Sequence, residues 1–269
     1  MALELPATLS PSKVSSFKDC ALAFRFSVID RLPEPPSPAA VKGTLVHRAL
    51  EQLYCAPPGE RTLGAALAAL ADAVEQARHH GGEYGQLGLE GEDEDAYVAE
   101  AEGLVRRYFE MEDPATVRPI GLELLLEAEL GGVRLRGIID RLELDADGEL
   151  VVTDYKTGRS PGPRYEQGRF GGVHFYAFLC QQVLGRRPAR IQLLYLADGV
   201  SIAATPSEQS VRALERRVGA VWQAVERACA ADDFRPRPGP LCRWCSFQAW
   251  CPAYGGDPAA ARAELVGAG

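Results

Sequence analysis

Two consecutive strand-like segments, GIIDRLEL and ELVVTDYK, most constrain how this chain can fold. The residues between them, 145–148, suit a tight hairpin, so we expect the two segments to lie side by side in one sheet. Side chains alternate between the two faces of a strand, and Asp154 therefore shares a face with Lys156. The hairpin can bring Asp140 to the same edge of the sheet. Three charged side chains in a β-rich, mostly buried stretch require a chemical reason.

The rest of the chain predicts helices packed on this sheet. Apolar residues recur at helical or strand spacing on both sides of the hairpin. The predicted helices are 12–29, 41–54, 63–80, 95–112, 169–184 and 207–231, and the predicted strands are 121–130, 133–144, 149–155 and two within 190–203. An acidic loop is expected between the helices 63–80 and 95–112. This order indicates a mixed α/β domain.

The two aspartates and the lysine predict a catalytic metal site. Neighbouring carboxylates repel each other, and burial increases that cost. A divalent cation removes the cost, and Mg²⁺ or Mn²⁺ favours carboxylate oxygens while keeping waters for chemistry. A lysine beside it can orient an attacking water or offset developing negative charge. In the alternative interpretation the charges are structural: Asp140 pairs with Arg141 or Arg136, and Asp154 pairs with Lys156.

The composition excludes several classes of protein. The hydrophobic share is 46% and the charged share is 25%, as in an ordinary globular protein. The formal net charge of −8 argues against a protein that coats DNA by bulk charge, although it leaves room for a local basic groove. No apolar run is long enough to span a membrane, and the first residues do not resemble a secretory signal. We therefore expect a soluble cytoplasmic protein, without a membrane partner, whose seven cysteines are reduced.

Three of these cysteines lie close together near the C-terminus, as Cys242-x₂-Cys245-x₅-Cys251. Closely spaced thiolates need a soft metal and a fourth ligand, for which Cys20 is the candidate. A link from residue 20 to residue 242 would close a very long loop and restrain the chain ends strongly. Four cysteines also suit Zn²⁺, which is the alternative metal. The remaining cysteines, Cys55, Cys180 and Cys229, are spaced like residues of a helix face.

The segments GIIDR (137–141) and DYKTG (154–158) resemble motifs of the RecB-like branch of the PD-(D/E)xK nucleases. That family also carries a Gly-x-x-x-His helix upstream, and GTLVHRALE places His47 at the matching position. The resemblance covers nearly the whole chain. It implies that His47, Asp140 and Asp154 bind Mg²⁺ or Mn²⁺, and that Lys156 assists the attack of water on a phosphodiester. The carbonyl of Tyr155 is a further candidate ligand.

A helix after the lysine carries a departure from the family pattern. The family places Gln-x-x-x-Tyr there, and Tyr176 matches the tyrosine and a catalytic role. Gly172 takes the place of the glutamine, so His174 or Gln167 replaces its contact, or the contact is missing. The strand before Gly137 sometimes contributes a glutamate in the family. Its candidates here are Glu127 and Glu129.

The cysteine pattern is similar to that of the iron–sulfur members of the same family. These include CRISPR-associated exonucleases and the nuclease parts of bacterial helicase–nuclease complexes. The resemblance implies that Cys20, Cys242, Cys245 and Cys251 hold a 4Fe–4S cluster that joins the two ends of the domain.

The resemblance also implies the fold and the domain limits. We expect a PD-(D/E)xK restriction-endonuclease-like α/β core of order αβββαβ, with added N-terminal helices and a C-terminal cysteine knot clasped to the N-terminus. A single nuclease domain would occupy 1–269. Within it we expect a catalytic core at 41–231 with a helical insertion at about 60–112, an iron–sulfur clasp formed by 1–32 and 232–255, and a tail at 256–269.

The implied activity is that of a metal-dependent DNA exonuclease in repair or recombination, with single-stranded DNA as the favoured substrate. No helicase motif is present, so unwinding would need a helicase or repair-complex partner. Candidate DNA contacts are Arg159, Arg164, Arg169, Arg186, Arg187, Arg190, Lys13, Lys18, Arg25, Lys42 and Arg48. Two alternatives are a non-catalytic iron–sulfur or zinc DNA-binding module that recruits a partner, and a metal-dependent hydrolase of another phosphate ester.

Overall fold

A computed structural model describes the backbone of residues 3–162 and 166–261 and the side chains of 3–162 and 172–261. Its helices are α1 (Pro11–Asp19), α2 (Ala21–Phe24), α3 (Pro38–Cys55), α4 (Leu63–His80), α5 (Gly82–Gln86), α6 (Gly91–Met111), α7 (Glu166–Leu184) and α8 (Glu208–Ala231). Its strands are β1 (Pro119–Leu130), β2 (Val133–Leu144), β3 (Leu150–Lys156), β4 (Arg190–Tyr195) and β5 (Val200–Ala204). Within the described residues, no helix is both long and apolar enough to cross a bilayer.

The strands form one sheet in the order β1-β2-β3-β4-β5. β3 pairs antiparallel with β2 and parallel with β4, and β4 pairs antiparallel with β5. The parallel pair is joined through α7, as a crossover connection requires. Residues 150–155 of β3 are all buried, which is typical of a central strand with both faces covered. The mixed α/β fold expected from the sequence is confirmed, and the sheet has five strands.

Turn residues set the two hairpins that the sequence predicts. Gly131 and Gly132 connect β1 to β2 with φ values of 56° and 84°. A two-residue loop with positive φ at both positions matches the twist of the flanking strands, and glycine adopts such angles without a steric penalty. Gly148, with φ of 77°, lies in the turn between β2 and β3. The register that follows places Arg141 opposite Thr153.

Two helical predictions need correction. The predicted helix 12–29 is interrupted at Cys20, which has extended backbone angles (φ −159°, ψ 111°), and it continues as α2 and a π-helix, Arg25–Ile29. The predicted acidic loop is largely helical, because α6 already begins at Gly91. Acidic side chains in the first turn of α6 face the positive end of the helix dipole, which favours this earlier start.

The chain divides into two compact units. The first comprises the described parts of 1–35, 127–136 and 212–269. Leu9 is fully buried in it and exchanges backbone hydrogen bonds with residues 134 and 136. Phe26 packs against Phe247 with ring centroids 5.4 Å apart. Arg25 is 7% exposed and pairs with Asp30 and Asp232, both at 3.1 Å, so it is not a free surface arginine for DNA.

The second unit comprises 36–126 and 137–211. Helices α3, α4 and α6 pack against one another in it through their apolar faces. Its buried core includes Leu45, Leu50, Leu53, Tyr54, Leu70, Tyr108, Tyr155 and Leu194. Tyr155 joins this core from β3, so the face of β3 that carries Tyr155 is covered by helices. The opposite face of β3 carries Asp154.

Candidate active site

His47 lies on α3 and approaches β3 at Tyr155. Its Nε2 atom is 3.1 Å from the carbonyl oxygen of Tyr155. A carbonyl only accepts hydrogen bonds, so Nε2 carries the proton in this arrangement and Nδ1 keeps its lone pair. Nδ1 lies 3.6 Å from Asp140 Oδ2 and 3.9 Å from Glu123 Oε1. Burial lowers the pKa of His47, against the attraction of Asp154, so the imidazole is neutral and fit to bind a metal.

Asp140 lies on β2 and is 8% exposed. The Tyr155 amide donates a hydrogen bond of 2.6 Å to Asp140 Oδ2. Burial raises the pKa of Asp140 well above its usual value, and the nearby Asp154 raises it further. The hydrogen bond from Tyr155 and the charge of Lys156 oppose this increase without cancelling it. A cation at this position would remove the cost of ionising Asp140.

Asp154 and Lys156 lie on the same face of β3 and form an ion pair. Burial alone would lower the pKa of Lys156, but Asp154 outweighs it and the pKa is raised, so Lys156 is an ammonium. Its side chain keeps 42% of its surface exposed, which leaves it accessible to a substrate. The Tyr176 hydroxyl donates to Asp154 Oδ1 at 3.3 Å. Burial and Asp154 raise the pKa of Tyr176, so the hydroxyl remains protonated and remains a donor.

Glu123 on β1 lies beside His47 and Asp140, and the sequence analysis does not predict it as a site residue. A nitrogen of His47 and carboxylate oxygens of Glu123 and Asp140 all lie within 4.8 Å of one another. Among the residues that the structure describes, this is the one such group of metal-ligating side chains. Glu123 has a φ of 42°, in the left-handed region that non-glycine residues rarely adopt. Burial raises the pKa of Glu123, and Glu51 and Asp154 raise it further.

The glutamates proposed from the sequence lie elsewhere on β1. Glu127 and Glu129 are exposed, and Glu127 lies 3.8 Å from Arg136 within the first unit. Strand alternation would put Glu123, Glu127 and Glu129 on one face. The left-handed backbone at Glu123 interrupts that alternation. Sequence periodicity therefore could not identify which glutamate enters the site.

Glycines of the two motifs make room for the site. A Cβ atom on Gly137 would lie 2.8 Å from Leu179 Cδ1 and 3.3 Å from Tyr176 Cε1. A Cβ atom on Gly43 would lie 3.2 Å from Thr157 Oγ1, in the segment after Lys156. Gly137 therefore permits the close approach of Tyr176, and Gly43 permits α3 to approach the end of β3.

Arg141 lies on the other face of β2 and does not pair with Asp140. It is fully buried and forms ion pairs with Glu112 and Glu143. Its Nη1 atom lies 2.6 Å from the hydroxyl of Tyr54, 2.9 Å from that of Tyr155 and 3.0 Å from that of Tyr108, and Nη2 donates to the hydroxyl of Thr153 at 3.1 Å. Arg136 likewise lies beside a glutamate, Glu127, so neither arginine pairs with Asp140 as the structural alternative proposed, whereas the Asp154–Lys156 pair that it also proposed is present.

An opening of about 420 Å³ lies beside the site. Its lining residues are Ala40, Gly43, Thr44, His47, Arg48, Glu51 and Glu123. Arg48 and Glu51 both line this opening and form an ion pair with each other at 2.9 Å. The side chains of Arg164, Gln167 and Arg169, which the sequence suggested as contacts, lie outside the described residues.

The four cysteines of the predicted cluster line one cavity of about 480 Å³ in the first unit. The Arg237 amide donates to Cys20 Sγ at 3.5 Å, and the Gly239 amide donates to Cys242 Sγ at 3.3 Å. Burial raises the pKa of Cys245, and the other three cysteines raise it further. Among the described residues, no three of these sulfur atoms lie within 4.8 Å of one another. The iron–sulfur cluster stays a prediction, with zinc as the alternative metal.

Comparisons with known proteins relate this chain to nucleases. A sequence model described as the PD-(D/E)XK nuclease superfamily matches residues 8–252. Over 136 residues, the chain is 31% identical to the Gene 69 protein of Mycobacterium phage L5 and 29% identical to that of Mycobacterium phage D29. The match covers 49% of this chain but only 44% and 48% of these relatives, so it spans less than half of their length.

One solved structure is similar over most of the chain. It is a candidate exonuclease from Eubacterium rectale, with a TM-score of 0.57 and 13% sequence identity. The similarity covers 89% of this chain and 87% of that one. At this identity the comparison shows a shared fold.

Proposed function

We propose, from the premise that this chain belongs to the PD-(D/E)XK nuclease superfamily, that it is a metal-dependent exonuclease that hydrolyses phosphodiester bonds of DNA. The observation that carries the proposal is the convergence of His47, Glu123 and Asp140 within 4.8 Å, beside Asp154 and Lys156. A structural ion-pair network would leave no reason to collect two carboxylates and a neutral imidazole around one point.

The donor set fits the cations that the family uses. One neutral nitrogen and two carboxylate oxygens suit Mg²⁺ or Mn²⁺, with waters completing the coordination. His47, Glu123 and Asp140 would hold the ion, and Asp154 is the further ligand expected from the motif. When bound, the ion supplies Lewis-acid polarisation and offsets negative charge at the reacting phosphate.

The chain's own groups then act on water and on the phosphate. Lys156 directs its ammonium toward the attacking water or toward a phosphate oxygen, where negative charge develops. Tyr176 holds Asp154 in place through its hydroxyl. A bond forms between the water oxygen and phosphorus, and the bond from phosphorus to the leaving sugar oxygen breaks. The attacking water gives up one proton to the surrounding solvent and the leaving oxygen takes one up, so that protons balance.

We also propose that Cys20, Cys242, Cys245 and Cys251 hold a 4Fe–4S cluster, with 1–32 and 232–255 as its clasp and 41–231 as the catalytic core. The support is that all four cysteines line one cavity. Backbone amides donating to two of the sulfurs are the kind of contact that tunes such clusters.

The substrate and setting are part of the same proposal. Single-stranded DNA is the proposed substrate, DNA repair or recombination the proposed process, and a helicase or repair complex the proposed partner. The exonuclease designation of the Eubacterium rectale protein supports digestion from DNA ends.

The test is an anaerobic digestion assay on single-stranded DNA labelled at either end, with Mg²⁺, Mn²⁺ or EDTA. The wild type is compared with Lys156→Ala and with Asp147→Asn, which changes an exposed carboxylate in the β2–β3 turn. We expect digestion that requires metal and Lys156 and that Asp147→Asn retains. Circular single-stranded DNA should survive, because it has no end. Protein that binds DNA but never cuts it with either metal would refute the nuclease and favour a binding module.

A further inference from the structure

We propose that Arg141 is a positioning residue for the metal site, and that it acts through the side chain of Tyr155. The inference rests on the proposed function, because it concerns the same site. Arg141 touches none of the metal-ligating side chains named above. Its guanidinium instead contacts the hydroxyl of the residue whose peptide groups contact two of them.

Arg141 and Asp140 are neighbours on β2 and therefore point to opposite faces of the sheet. Arg141 is opposite Thr153 in the β2–β3 register, and Tyr155 follows on the same face of β3. The candidate site and the contacts of Arg141 therefore lie on opposite faces of the same short segment of β2 and β3. A shift of either strand would displace both.

Tyr155 connects the two faces. Its amide donates to Asp140 at 2.6 Å, and its carbonyl oxygen lies 3.1 Å from His47 Nε2. Its ring also packs edge-on against the imidazole of His47, with centroids 5.9 Å apart. The orientation of Tyr155 therefore sets the directions of a carboxylate and of an imidazole.

Arg141 fixes the far end of the Tyr155 side chain. Its guanidinium donates to the Tyr155 hydroxyl at 2.9 Å and is itself held by Glu112 and by the Tyr54 and Tyr108 hydroxyls. A tyrosine side chain has two rotatable bonds, so anchoring the hydroxyl leaves the residue little freedom between its two ends. The His47 tautomer and the Asp140 orientation depend on such outer contacts, as is common at metal sites.

A purely stabilising role does not account well for this arrangement. Burying a complete guanidinium is costly, and a buried ion pair is often no better for stability than apolar residues of similar volume. A buried guanidinium does favour a single arrangement of the side chains around it, because an N–H donor that loses its partner there costs free energy. The structure places this constraint beside the two side chains whose positions matter most.

The test uses two variants that each remove the hydroxyl of one buried tyrosine. Tyr155→Phe breaks the proposed connection. Tyr84→Phe removes a hydroxyl contact to Glu94, 2.7 Å long, that involves neither Arg141 nor a predicted site residue. Mn²⁺ affinity is measured for each protein by electron paramagnetic resonance titration without DNA, and thermal stability is measured in EDTA.

We expect Tyr155→Phe to weaken Mn²⁺ binding about tenfold, the lower range seen for outer-contact mutations at metal sites. Tyr84→Phe should change Mn²⁺ affinity less than twofold, although both variants lose thermal stability. On DNA, Tyr155→Phe should lower kcat and leave KM unchanged. Equal Mn²⁺ affinities for the two variants, or a wild type that does not bind Mn²⁺, would overturn the inference. A wild type that binds Mn²⁺ and never cleaves DNA would overturn only the proposed function.

Discussion

The Tyr155 amide, in the middle of the sheet, donates a hydrogen bond of 2.6 Å to the carboxylate of Asp140 on the neighbouring strand. The β2–β3 hairpin is therefore tied to the candidate site by the same contact that orients one of its ligands. The bond favours the ionised carboxylate, yet burial and Asp154 keep the pKa of Asp140 raised. Without a cation, the burial of Asp140 beside Asp154 therefore destabilises the fold.

Asp140→Asn should separate stability from activity. The amide is uncharged, so repulsion from Asp154 disappears, while its oxygen can still accept from Tyr155. We expect metal-dependent cleavage to fall at least 100-fold, as when a group essential to charge stabilisation is removed. In EDTA, the melting temperature should equal or exceed that of the wild type.

Asp147→Asn is the matched control for that variant, since it makes the same chemical change at an exposed position. It should leave both activity and melting temperature unchanged. A lower melting temperature for Asp140→Asn in EDTA would show that the buried carboxylate pair is not a cost to the metal-free fold.

Gly137→Ala should damage the site through packing. The added methyl group would overlap Leu179 and crowd Tyr176, so one of the two must move. Overpacking of this kind typically costs about 1–3 kcal/mol. We expect lower stability by urea denaturation and lower kcat, because displacement of Tyr176 releases Asp154.

Gly103→Ala provides the control for this glycine. Gly103 lies within α6 and a Cβ atom there would meet nothing within 4 Å. Alanine is the better helix former by about 0.5–1 kcal/mol. Gly103→Ala should therefore raise stability and leave activity unchanged. A loss of stability and activity in both glycine variants would contradict the packing explanation.

The sequence predicted the order of elements and most of the residues that meet at the site. Side-chain alternation along β3 is sufficient to place Asp154 and Lys156 on one face, and the Gly-x-x-x-His motif indicates that His47 lies near them. Glu123 could not be found in this way, because its left-handed backbone breaks the alternation on which the prediction depends. The sequence does not show that Arg141 is surrounded by Tyr54, Tyr108, Tyr155 and Glu112, because these residues lie 14 to 87 positions away from it.

Glu112→Gln should make the free energy of unfolding less dependent on pH in the acidic range. Burial disfavours the charged form of Glu112, but Arg141 and two tyrosine hydroxyls outweigh burial and lower the pKa of Glu112 below its usual 4.5. An acid with a lowered folded pKa adds stability above its unfolded pKa and loses it as the pH falls through the folded value. The contribution of Glu112 is therefore present at pH 7 and disappears below 4.5.

Urea denaturation at several pH values tests this directly. At pH 7, Glu112→Gln should be less stable than the wild type by roughly 3 kcal/mol, the loss expected when one partner of a buried pair is removed. The difference should shrink as the pH falls below 4.5. Glu143 has the opposite sign, because burial raises its pKa. Glu112 raises that pKa further, so Glu112→Gln also relieves Glu143, and the stability difference at pH 7 is smaller than the loss of the Arg141 contact alone. A stability difference between the two proteins that stays constant with pH would contradict the assigned charge of Glu112.

Cys242→Ser should remove the proposed cluster. Anaerobically purified wild type is expected to be brown and to contain iron and sulfide, and the variant should lose both the colour and the metal. Its melting temperature should fall, because a link between distant parts of the chain is lost. Cys55→Ser changes an exposed cysteine outside the cavity and should retain the colour. Zinc without iron in the wild type would favour the alternative metal.

The left-handed backbone at Glu123 also carries information for related sequences. A side chain at such an angle costs about 1–2 kcal/mol that glycine avoids. Selection for stability alone would replace the residue, so its persistence would report selection for the carboxylate. Relatives that have lost catalysis should drift to glycine or asparagine at this position, while active relatives keep an acid. One column of a sequence alignment would then distinguish working enzymes from inactive descendants before any of them is purified.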